Sequence, residues 1–498
     1  MRKRRGVYIS LILTKGSAGG FYCVMIDPLW LLLIGIVLPM MLVIARFSPR
    51  SRRLRNVTGL IYLALTICFV LYPLLVTCFY LFTDDGLRSA SPSRFAYSLH
   101  RSLSRKIPEY VEKRIESRVA STLSISQITA TESPVYGAFF YLQATVKLQQ
   151  QWEKDPSLAS VAPKISGREA IDSSLRLMLD ADHAHWIKTY WGDDYMQDPN
   201  CFYRALMIGS ITAHHLLTGD RQHLPLLQNI VDDLADDISQ SPHGYVDDYP
   251  SQCFPCDVAC GIAMIDQAGK VLQQDRSEWS KVAYARMAEN DSGDLPPYMA
   301  DQKTGIPQGP TRGCTNGFFF SYLPKLSPDT AEASYQHLVE EFWQEKYGAC
   351  GWREFSRKGS MPSSYFDPDS GPVIGGFGTG ATGLGIGYTR IFGDHHRAGA
   401  LGAEMLASAV PLPSGILLLP RLVSDHQHAP YFAELVILHQ LSMLPENPAT
   451  DPQRAAIPPV VLGILLIEVI VLVLLSRICW FLLRGNRYLT QKPVATLS

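Results

Sequence analysis

The feature that most constrains the fold is a repeated pair of helices, one apolar on nearly every face and one apolar on a single face. The segment Tyr203–Leu217 is apolar all round, which predicts a fully buried helix. After a break at Thr218-Gly219-Asp220, residues 224–238 carry leucine and isoleucine at three- and four-residue spacing, which predicts an outer helix with one buried face. Similar pairs follow at residues 255–287 and 374–405, and strand patterns are nearly absent. This alternation predicts an all-α fold, an (α/α)6 toroid or barrel of helical hairpins.

Three apolar runs predict that the chain crosses a membrane. Pro28–Ala45, Val57–Phe82 and Ile457–Leu475 are each about long enough to span a hydrocarbon core of roughly 30 Å. The predicted fold therefore includes two N-terminal transmembrane helices and one C-terminal transmembrane helix. With 498 residues and a formal net charge of −1, the chain can hold one large domain beside these spans. The near-neutral charge gives no reason to expect a nucleic-acid partner.

Cationic residues near the predicted spans predict the orientation. Five arginines lie between the first two spans, and further cations follow the last one: Arg46, Arg50, Arg52, Arg53 and Arg55, then Arg484, Arg487 and Lys492. Because cytoplasmic loops are enriched in such residues, the sequence predicts a multi-pass protein of the bacterial inner membrane with its main domain on the periplasmic side. The cations of residues 1–24 contradict this orientation, so we expect translation to start at Met25.

The chain divides into six predicted regions. They are a leader (1–27), two transmembrane helices with a cytoplasmic arginine-rich loop (28–83), a basic stalk or linker (84–125), the exported barrel domain (126–450), a C-terminal transmembrane helix (457–483) and a cytoplasmic tail (484–498). Six of the ten cysteines fall in the exported domain, where an oxidising compartment permits disulfides. Their spacing alone does not pair them.

Polar, aromatic loops directly precede the buried helices, so we expect these loops to gather at one end of the barrel. The segment Asp247–Asp257 combines a doublet of acids with a thiol, and adjacent acids in an apolar pocket can serve as acid and base. The candidate catalytic residues are Asp247, Asp248, Cys256 and Asp257. The candidate substrate-binding residues are Trp191, Tyr195, Asn200, Tyr203, Tyr249, Arg312, Asn316, Tyr365 and Asp369. Asp257 and Asp369 could instead be simple helix caps.

Two motifs were weighed as cofactor or metal sites. Residues 378–383 match the dinucleotide-binding glycine pattern, but that pattern requires a parallel sheet, whereas an inner helix is expected here. The spacing Cys253-x-x-Cys256-x-x-x-Cys260 lacks a second cysteine or histidine pair at zinc-like spacing. We therefore predict neither a cofactor nor a metal.

The central domain resembles the linalool dehydratase/isomerase family over roughly residues 190–445. The resemblance rests on Asn200-Cys-Phe-Tyr203 opening a helix that ends Leu-Thr-Gly-Asp220, and on Phe254-Pro-Cys256-Asp257 after an acidic, aromatic segment. It implies an (α/α)6 barrel in which a cysteine pair and a histidine move protons during water loss and isomerisation. Cys256 falls at the place of the second cysteine. The first falls near Asp247 and the histidine near Leu206.

The predicted function is that of a membrane-anchored lyase or isomerase, of the hydro-lyase type, acting outside the cytoplasm on an apolar or amphiphilic alcohol. Two alternatives remain open. One is a glycan hydrolase, lyase or epimerase, since helical toroids with acidic, aromatic mouths also suit sugars. The other is a non-catalytic envelope protein whose barrel is a binding cup for assembly. The predicted partners are a lipid-like or glycan small molecule and the membrane, and the sequence does not indicate an oligomeric state.

Overall fold

The computed structural model describes residues 52–289, 295–359, 361–367, 370–415, 417–418, 427–446 and 453–484. The leader, the predicted span Pro28–Ala45, most of the cytoplasmic tail and the candidate residue Asp369 lie outside these ranges. Within them, helices dominate and strands are few and short.

Twenty α-helices follow one another along the described chain. They are α1 (Arg52–Thr66), α2 (Tyr72–Thr83), α3 (Arg94–Ser104), α4 (Ile107–Glu116), α5 (Ile128–Thr131), α6 (Ser133–Lys154), α7 (Pro163–Ser166), α8 (Arg168–Met178), α9 (His185–Trp191), α10 (Cys201–Thr218), α11 (Leu224–Gln240), α12 (Pro255–Val271), α13 (Ser277–Ala288), α14 (Gly313–Phe320), α15 (Leu323–Leu326), α16 (Pro328–Phe342), α17 (Thr379–Ile391), α18 (His395–Ser408), α19 (Phe432–Ser442) and α20 (Pro459–Arg484).

Nine short strands form four antiparallel sheets among the described residues. They are β1 (Met299–Ala300), β2 (Pro307–Gln308), β3 (Trp343–Lys346), β4 (Ala349–Trp352), β5 (Tyr365–Asp367), β6 (Gly371–Ile374), β7 (Phe377–Gly378), β8 (Val410–Pro411) and β9 (Leu417–Leu418). β1 pairs with β2, β3 with β4, β8 with β9, and β5, β6 and β7 form one sheet in that order. The sequence analysis did not predict these strands, because pairs of two to four residues leave too short an alternating pattern to detect.

Six helices contact one another in a closed cycle. Going round, α6 contacts α10, α10 contacts α12, α12 contacts α14, α14 contacts α17, α17 contacts α19, and α19 contacts α6 again. Each member of the cycle also contacts a helix outside it: α6 contacts α8, α10 contacts α11, α12 contacts α13, α14 contacts the short α15, α17 contacts α18, and α19 contacts α3. Four members of the cycle, α10, α12, α14 and α17, open after the predicted polar loops.

The burial of α10 and α11 follows their apolar patterns. Nearly every side chain of α10 is buried, including the polar Arg204, Ser210 and Thr212. In α11 the buried residues are those of the predicted stripe, among them Leu227, Leu234 and Ile238. The predicted contrast between a fully buried helix and a one-faced helix is therefore observed in this pair.

Two helices of the segment predicted as a basic stalk, residues 84–125, contribute apolar side chains to the domain core. α3 and α4 bury Phe95, Leu99, Leu103 and Val111 in the same apolar cluster as the helices of the cycle. These residues stand four apart along one helical face, with Ile107 continuing the series, so packing of that face outweighs the solvation of the cations beside it.

Two of the described helical stretches are long and apolar enough to cross a membrane, Arg55–Thr83 and Pro459–Leu483. The first consists of α1 and α2 joined by a π-helical turn at Ile67–Leu71. α1 packs against α20. The contact is close at Gly59, where a methyl group would lie 2.9 Å from Leu483 Cδ2. These two stretches correspond to two of the three predicted spans.

Candidate active site

Tyr136 marks the point where the starts of several helices of the cycle converge. It lies in the first turn of α6, and its ring centroid is 5.2 Å from that of Phe202 on α10, 5.7 Å from Phe318 on α14 and 5.9 Å from Phe432 on α19. Four helices that are distant in sequence therefore contribute rings to one aromatic cluster. The sequence analysis did not single out Tyr136.

Asp257 lies beside this aromatic cluster, in the first turn of α12. Its side chain is partly buried, and Oδ1 accepts a hydrogen bond from Cys256 Sγ at 3.7 Å. No backbone N–H within the described ranges donates to its carboxyl group, so it is not a helix cap. Burial raises the pKa of Asp257 to about 7. Both the acid and the carboxylate forms are consequently populated near neutral pH.

Asp248 is held quite differently, although it lies in the same acidic segment. It is fully buried, Oδ1 accepts from Phe202 N at 2.7 Å, and Oδ2 accepts from Phe254 N at 3.0 Å. These amides belong to the openings of α10 and α12, so one carboxyl group caps two helices. Burial raises the pKa of Asp248 well above its usual range, and the neighbouring Asp257 adds to the effect.

Asp247 stabilises the turn at Ser251, in the loop that leads into α12. Its Oδ2 accepts from Ser251 N at 3.0 Å, while its backbone carbonyl accepts from Cys201 N at 3.1 Å. Ser251 adopts a φ of 64°, a left-handed conformation that serine rarely adopts, so the turn needs outside support. Burial raises the pKa of Asp247. The acidic doublet thus shapes the loop that leads into α12.

Trp191 and Asn200 fix the backbone around the doublet. Trp191 Nε1 donates to Asp248 O at 3.1 Å. Asn200 is fully buried, and its Nδ2 donates to the carbonyl groups of Tyr195 and Asp198, which shapes the chain that enters α10. Trp191, Tyr195 and Asn200, all predicted binding residues, therefore make contacts that support the loops.

Tyr203 and Tyr249 make different hydrogen bonds in the structure. Tyr203 is buried and its hydroxyl donates to Met178 O at 3.4 Å, so it packs toward α8 rather than toward Tyr136. Tyr249 donates to Glu132 Oε1 at 3.1 Å and stands edge-on to Phe254 at 6.4 Å. Tyr249 is therefore closer to the candidate site than Tyr203.

Arg312 forms a buried ionic cluster at the start of α14. Its Nε donates to Glu354 Oε1 at 2.7 Å, and its NH2 nitrogen lies 2.8 Å from Asp367 Oδ1. The guanidinium also stacks 4.6 Å from the centroid of Tyr298. Burial raises the pKa of Glu354, while Arg312 opposes that rise by favouring the carboxylate. The positive charge that the sequence analysis assigned to substrate is already neutralised by two protein acids.

One thiol lies beside this ionic cluster and another lies beside Asp257. Cys314 Sγ lies 3.1 Å from Glu354 Oε1, where the thiol can donate a hydrogen bond. Cys314 and Cys256 interact electrostatically, and burial, Asp257 and Cys260 raise the pKa of Tyr136 more than these two thiols do. Asp257 and Tyr136 interact electrostatically with each other, and Glu354 lies beside Cys314. We call Asp257, Tyr136 and Glu354, together with Cys256 and Cys314, the central cluster.

Tyr365 and Asn316 are placed near or beside the central cluster. The Tyr365 hydroxyl is buried, makes no hydrogen bond within the described residues and interacts electrostatically with Glu354; burial raises its pKa to about 12. Asn316 is fully buried, and neither end of its amide finds a partner among those residues. The position of Asp369 is outside the described ranges.

Sequence reasoning missed three members of the central cluster: Tyr136, Cys314 and Glu354. Glu354 follows the apolar segment Ala349–Trp352, but the many charged residues around it in sequence give it no distinct signal. Cys314 stood inside a recognised loop but had no neighbouring acid in sequence. Only the fold brings it to Glu354.

None of the six cysteines of the predicted exported domain forms a disulfide bond in the structure. In the described part of the chain, no group of three or more histidine, cysteine, aspartate or glutamate side chains is placed to hold a metal ion. A surface groove of about 590 Å³ lies elsewhere, lined by Asp172, His214 and Asp220 among others. The central cluster is the candidate site because burial raises the pKa values of its acids, Asp257 and Glu354.

A comparison of the chain with models of known protein families finds no match, and a comparison with curated proteins finds none either.

Proposed function

We propose that the protein is a membrane-anchored lyase or isomerase of the linalool dehydratase/isomerase type, acting on an apolar or amphiphilic alcohol. The observation that carries this proposal is Asp257, a partly buried acid with a pKa near 7 that caps no helix and faces an aromatic cluster. Such a group can give up a proton and take it back at neutral pH.

The proposal includes an (α/α)6 barrel. Its support is the closed cycle of α6, α10, α12, α14, α17 and α19, each of which contacts a further helix. In such an arrangement the six helix starts would surround one mouth, and the central cluster does consist of residues at or near the starts of α6, α12 and α14 together with Glu354.

We assign Asp257 as the acid and Glu354 as the base of an elimination. Asp257 protonates the substrate hydroxyl, the C–O bond breaks and water leaves with the bonding electron pair. Glu354 then takes the proton from the adjacent carbon, and the electron pair of that C–H bond forms the new double bond. Arg312 favours the ionised form of Glu354 that this step needs. A proton returned from Glu354 to Asp257 through Cys314, Cys256 or water restores the starting state.

The aromatic lining supports an apolar substrate. The rings of Phe202, Phe318 and Phe432 pack around Tyr136, which interacts electrostatically with Asp257. Aromatic walls suit a hydrocarbon chain and leave few polar groups to satisfy a hydrophilic one. Elimination by acid and base requires only proton-transfer groups, so the proposal includes no cofactor.

The resemblance to the dehydratase family agrees with this assignment in part. Cys256 stands where the family's second cysteine would be and touches Asp257. Asp247 stands near the first cysteine's place, but its carboxyl group holds the turn at Ser251. We therefore assign proton transfer to Asp257 rather than to the doublet of Asp247 and Asp248.

The proposal is tested with the full chain in lipid nanodiscs and a panel of allylic terpenoid alcohols, including linalool and geraniol, with alkene products followed by gas chromatography. We expect turnover by the native protein and its loss in Asp257→Asn. Asp266→Asn is the matched control, since Asp266 lies on the same helix and pairs with Lys270 at 3.2 Å. Full activity of Asp257→Asn, or equal loss in both variants, would refute the assignment.

A glycoside hydrolase is the second candidate, because Asp257 and Glu354 are two acids within one cluster and hydrolases also need an acid pair. The same nanodisc sample incubated with envelope glycans distinguishes the two. Released reducing sugar without alkene formation would favour the hydrolase. Absence of turnover in both assays, with retained ligand binding, would favour a non-catalytic binding protein.

We further propose that the domain lies outside the cytoplasm of a multi-pass inner-membrane protein. α1 and α20 pack so that Gly59, near the start of one, meets Leu483, at the end of the other. Their arginine-bearing ends therefore lie at the same side, away from the domain, where the positive-inside rule places the cytoplasm. An alkaline phosphatase fused after Ser327-Pro328 should be active. An inactive fusion that accumulates normally would reverse the orientation.

A further inference from the structure

The hairpin of β3 and β4 presents an aromatic side chain at its tip with little protein around it. The strands pair from Trp343 with Trp352 to Lys346 with Ala349, which leaves Tyr347 and Gly348 as a two-residue turn. Both turn residues have positive φ, 57° and 76°, as a tight hairpin turn with the right twist requires. The side chain of Tyr347 is 87% exposed.

This tip is joined directly to the start of a candidate span. Val460 N, in the first turn of α20, donates to Gly348 O at 3.1 Å. A methyl group at Gly348 would lie 3.1 Å from Pro459 Cβ, so the turn and the helix start touch. Because α20 becomes continuously apolar from this end, the hairpin tip lies at the level where the chain would enter the bilayer.

The neighbouring charge suits the same surface. Lys346 Nζ lies 4.9 Å from the centroid of the Tyr347 ring, so a cation and an aromatic ring are presented together. Tyrosine is enriched at the boundary between headgroups and acyl chains, and lysine can extend its ammonium from there to the phosphates.

We propose that the hairpin tip, residues 346–348, is a third membrane contact that does not span the bilayer and inserts Tyr347 into the headgroup region. The proposal rests on the membrane anchoring proposed above but is independent of the lyase activity. Two spans packed as a pair fix the domain's position at one point, and a contact beside them restricts its tilt.

The contact also ties the candidate active site to the membrane. From Gly348 at the tip, β4 leads in six residues to Glu354 of the central cluster, a path of roughly 20 Å at about 3.3 Å per residue. An amphiphilic substrate in the outer part of the bilayer would therefore be within one short strand of the base.

The contact is tested by photocrosslinking the full chain in vesicles of phosphatidylethanolamine and phosphatidylglycerol. The photoreactive residue p-benzoylphenylalanine replaces, one at a time, Tyr347, Leu466 and Ile306. Leu466 lies on α20 and is 61% exposed; Ile306, also 61% exposed, lies beside β2. After irradiation, peptides carrying a lipid adduct are identified by mass spectrometry.

We expect lipid adducts at positions 347 and 466 and none at 306. An adduct at 466 without one at 347 overturns the proposal while leaving the span intact. Absence of adducts at both positions overturns the span and the tip contact together, and adducts at all three show only non-specific contact, which also counts against the proposal. None of these outcomes depends on catalytic turnover.

Discussion

Asp248→Ala should destabilise the domain without acting on the chemistry. In the native protein, the Asp248 carboxyl group accepts from Phe202 N at 2.7 Å and from Phe254 N at 3.0 Å. Alanine removes both acceptors and leaves two buried N–H groups at the starts of α10 and α12. An unsatisfied buried donor costs about 1–3 kcal/mol, so the two together cost about 4 kcal/mol in free energy of unfolding.

The loss is measured by thermal unfolding of the purified chain in detergent, followed by tryptophan fluorescence. For a domain of a few hundred residues, about 4 kcal/mol corresponds to a fall in Tm of roughly 10 °C, at about 2–4 °C per kcal/mol. Asp248→Asn should show a smaller fall, because the amide keeps one acceptor and turns an N–H group toward the other donor. Asp257→Asn is the control, and its Tm at neutral pH should not fall.

A different result would refute the reasoning. If Asp248→Ala unfolds at the native temperature while turnover is lost, the doublet is the chemical centre and Asp248 is not a structural cap. If Asp257→Asn unfolds as readily as Asp248→Ala, then the distinction between a capping acid and a proton-transferring acid has no basis.

Three further outcomes follow from the structure. Burial raises the pKa of Asp257 to about 7, so its contribution to the free energy of unfolding is complete below about pH 4 and is lost as the pH rises through 7. At about 1.4 kcal/mol per pH unit, the native protein should lose about 4 kcal/mol of this free energy between pH 4 and pH 8. Denaturation of Asp257→Asn at the two pH values should not show that loss. Arg390→Met should lower the free energy of unfolding by about 3 kcal/mol or more in thermal unfolding, because this buried guanidinium donates to four backbone carbonyl groups, those of Gly86, Ser89, Ser91 and Met443, which the variant leaves without this donor. Gly378→Ala should reduce turnover in the alkene assay, because its methyl group would lie 2.8 Å from Glu354 Oε2, whereas Gly383→Ala, with no atom within 4 Å, should not.

The helical pairs could be predicted from sequence because their signal is local. The run that predicts α10 is apolar on every face, and the stripe that predicts α11 repeats every three or four residues, so each helix carries its own pattern. Phe95, Leu99 and Leu103 form the same kind of apolar stripe, although the cations around them favoured the prediction of a stalk. Cations beside an apolar stripe are also typical of the solvent-exposed face of a packed helix.

The central cluster could be predicted only in part, because its geometry is not local. Asp257 and Cys256 are adjacent in sequence and stood out together. Tyr136 lies more than a hundred residues earlier and Glu354 about a hundred later, so no spacing rule connects them. Their proximity depends on the cycle of helix contacts, and the short strand β4 that carries the chain to Glu354 was itself not predicted.

The different roles of Asp248 and Asp257 follow from how many backbone amides each carboxyl group accepts. Asp248 accepts two, so a change of its protonation state would weaken the hydrogen bonds at two helix starts. Folding therefore favours a single protonation state of Asp248. Asp257 accepts none within the described chain, and its one observed partner is a thiol at 3.7 Å. Its protonation can therefore change without loss of a helix cap. An acid at a helix start is free to transfer protons only where another residue already caps that helix, and here Asp248 caps α12 through Phe254.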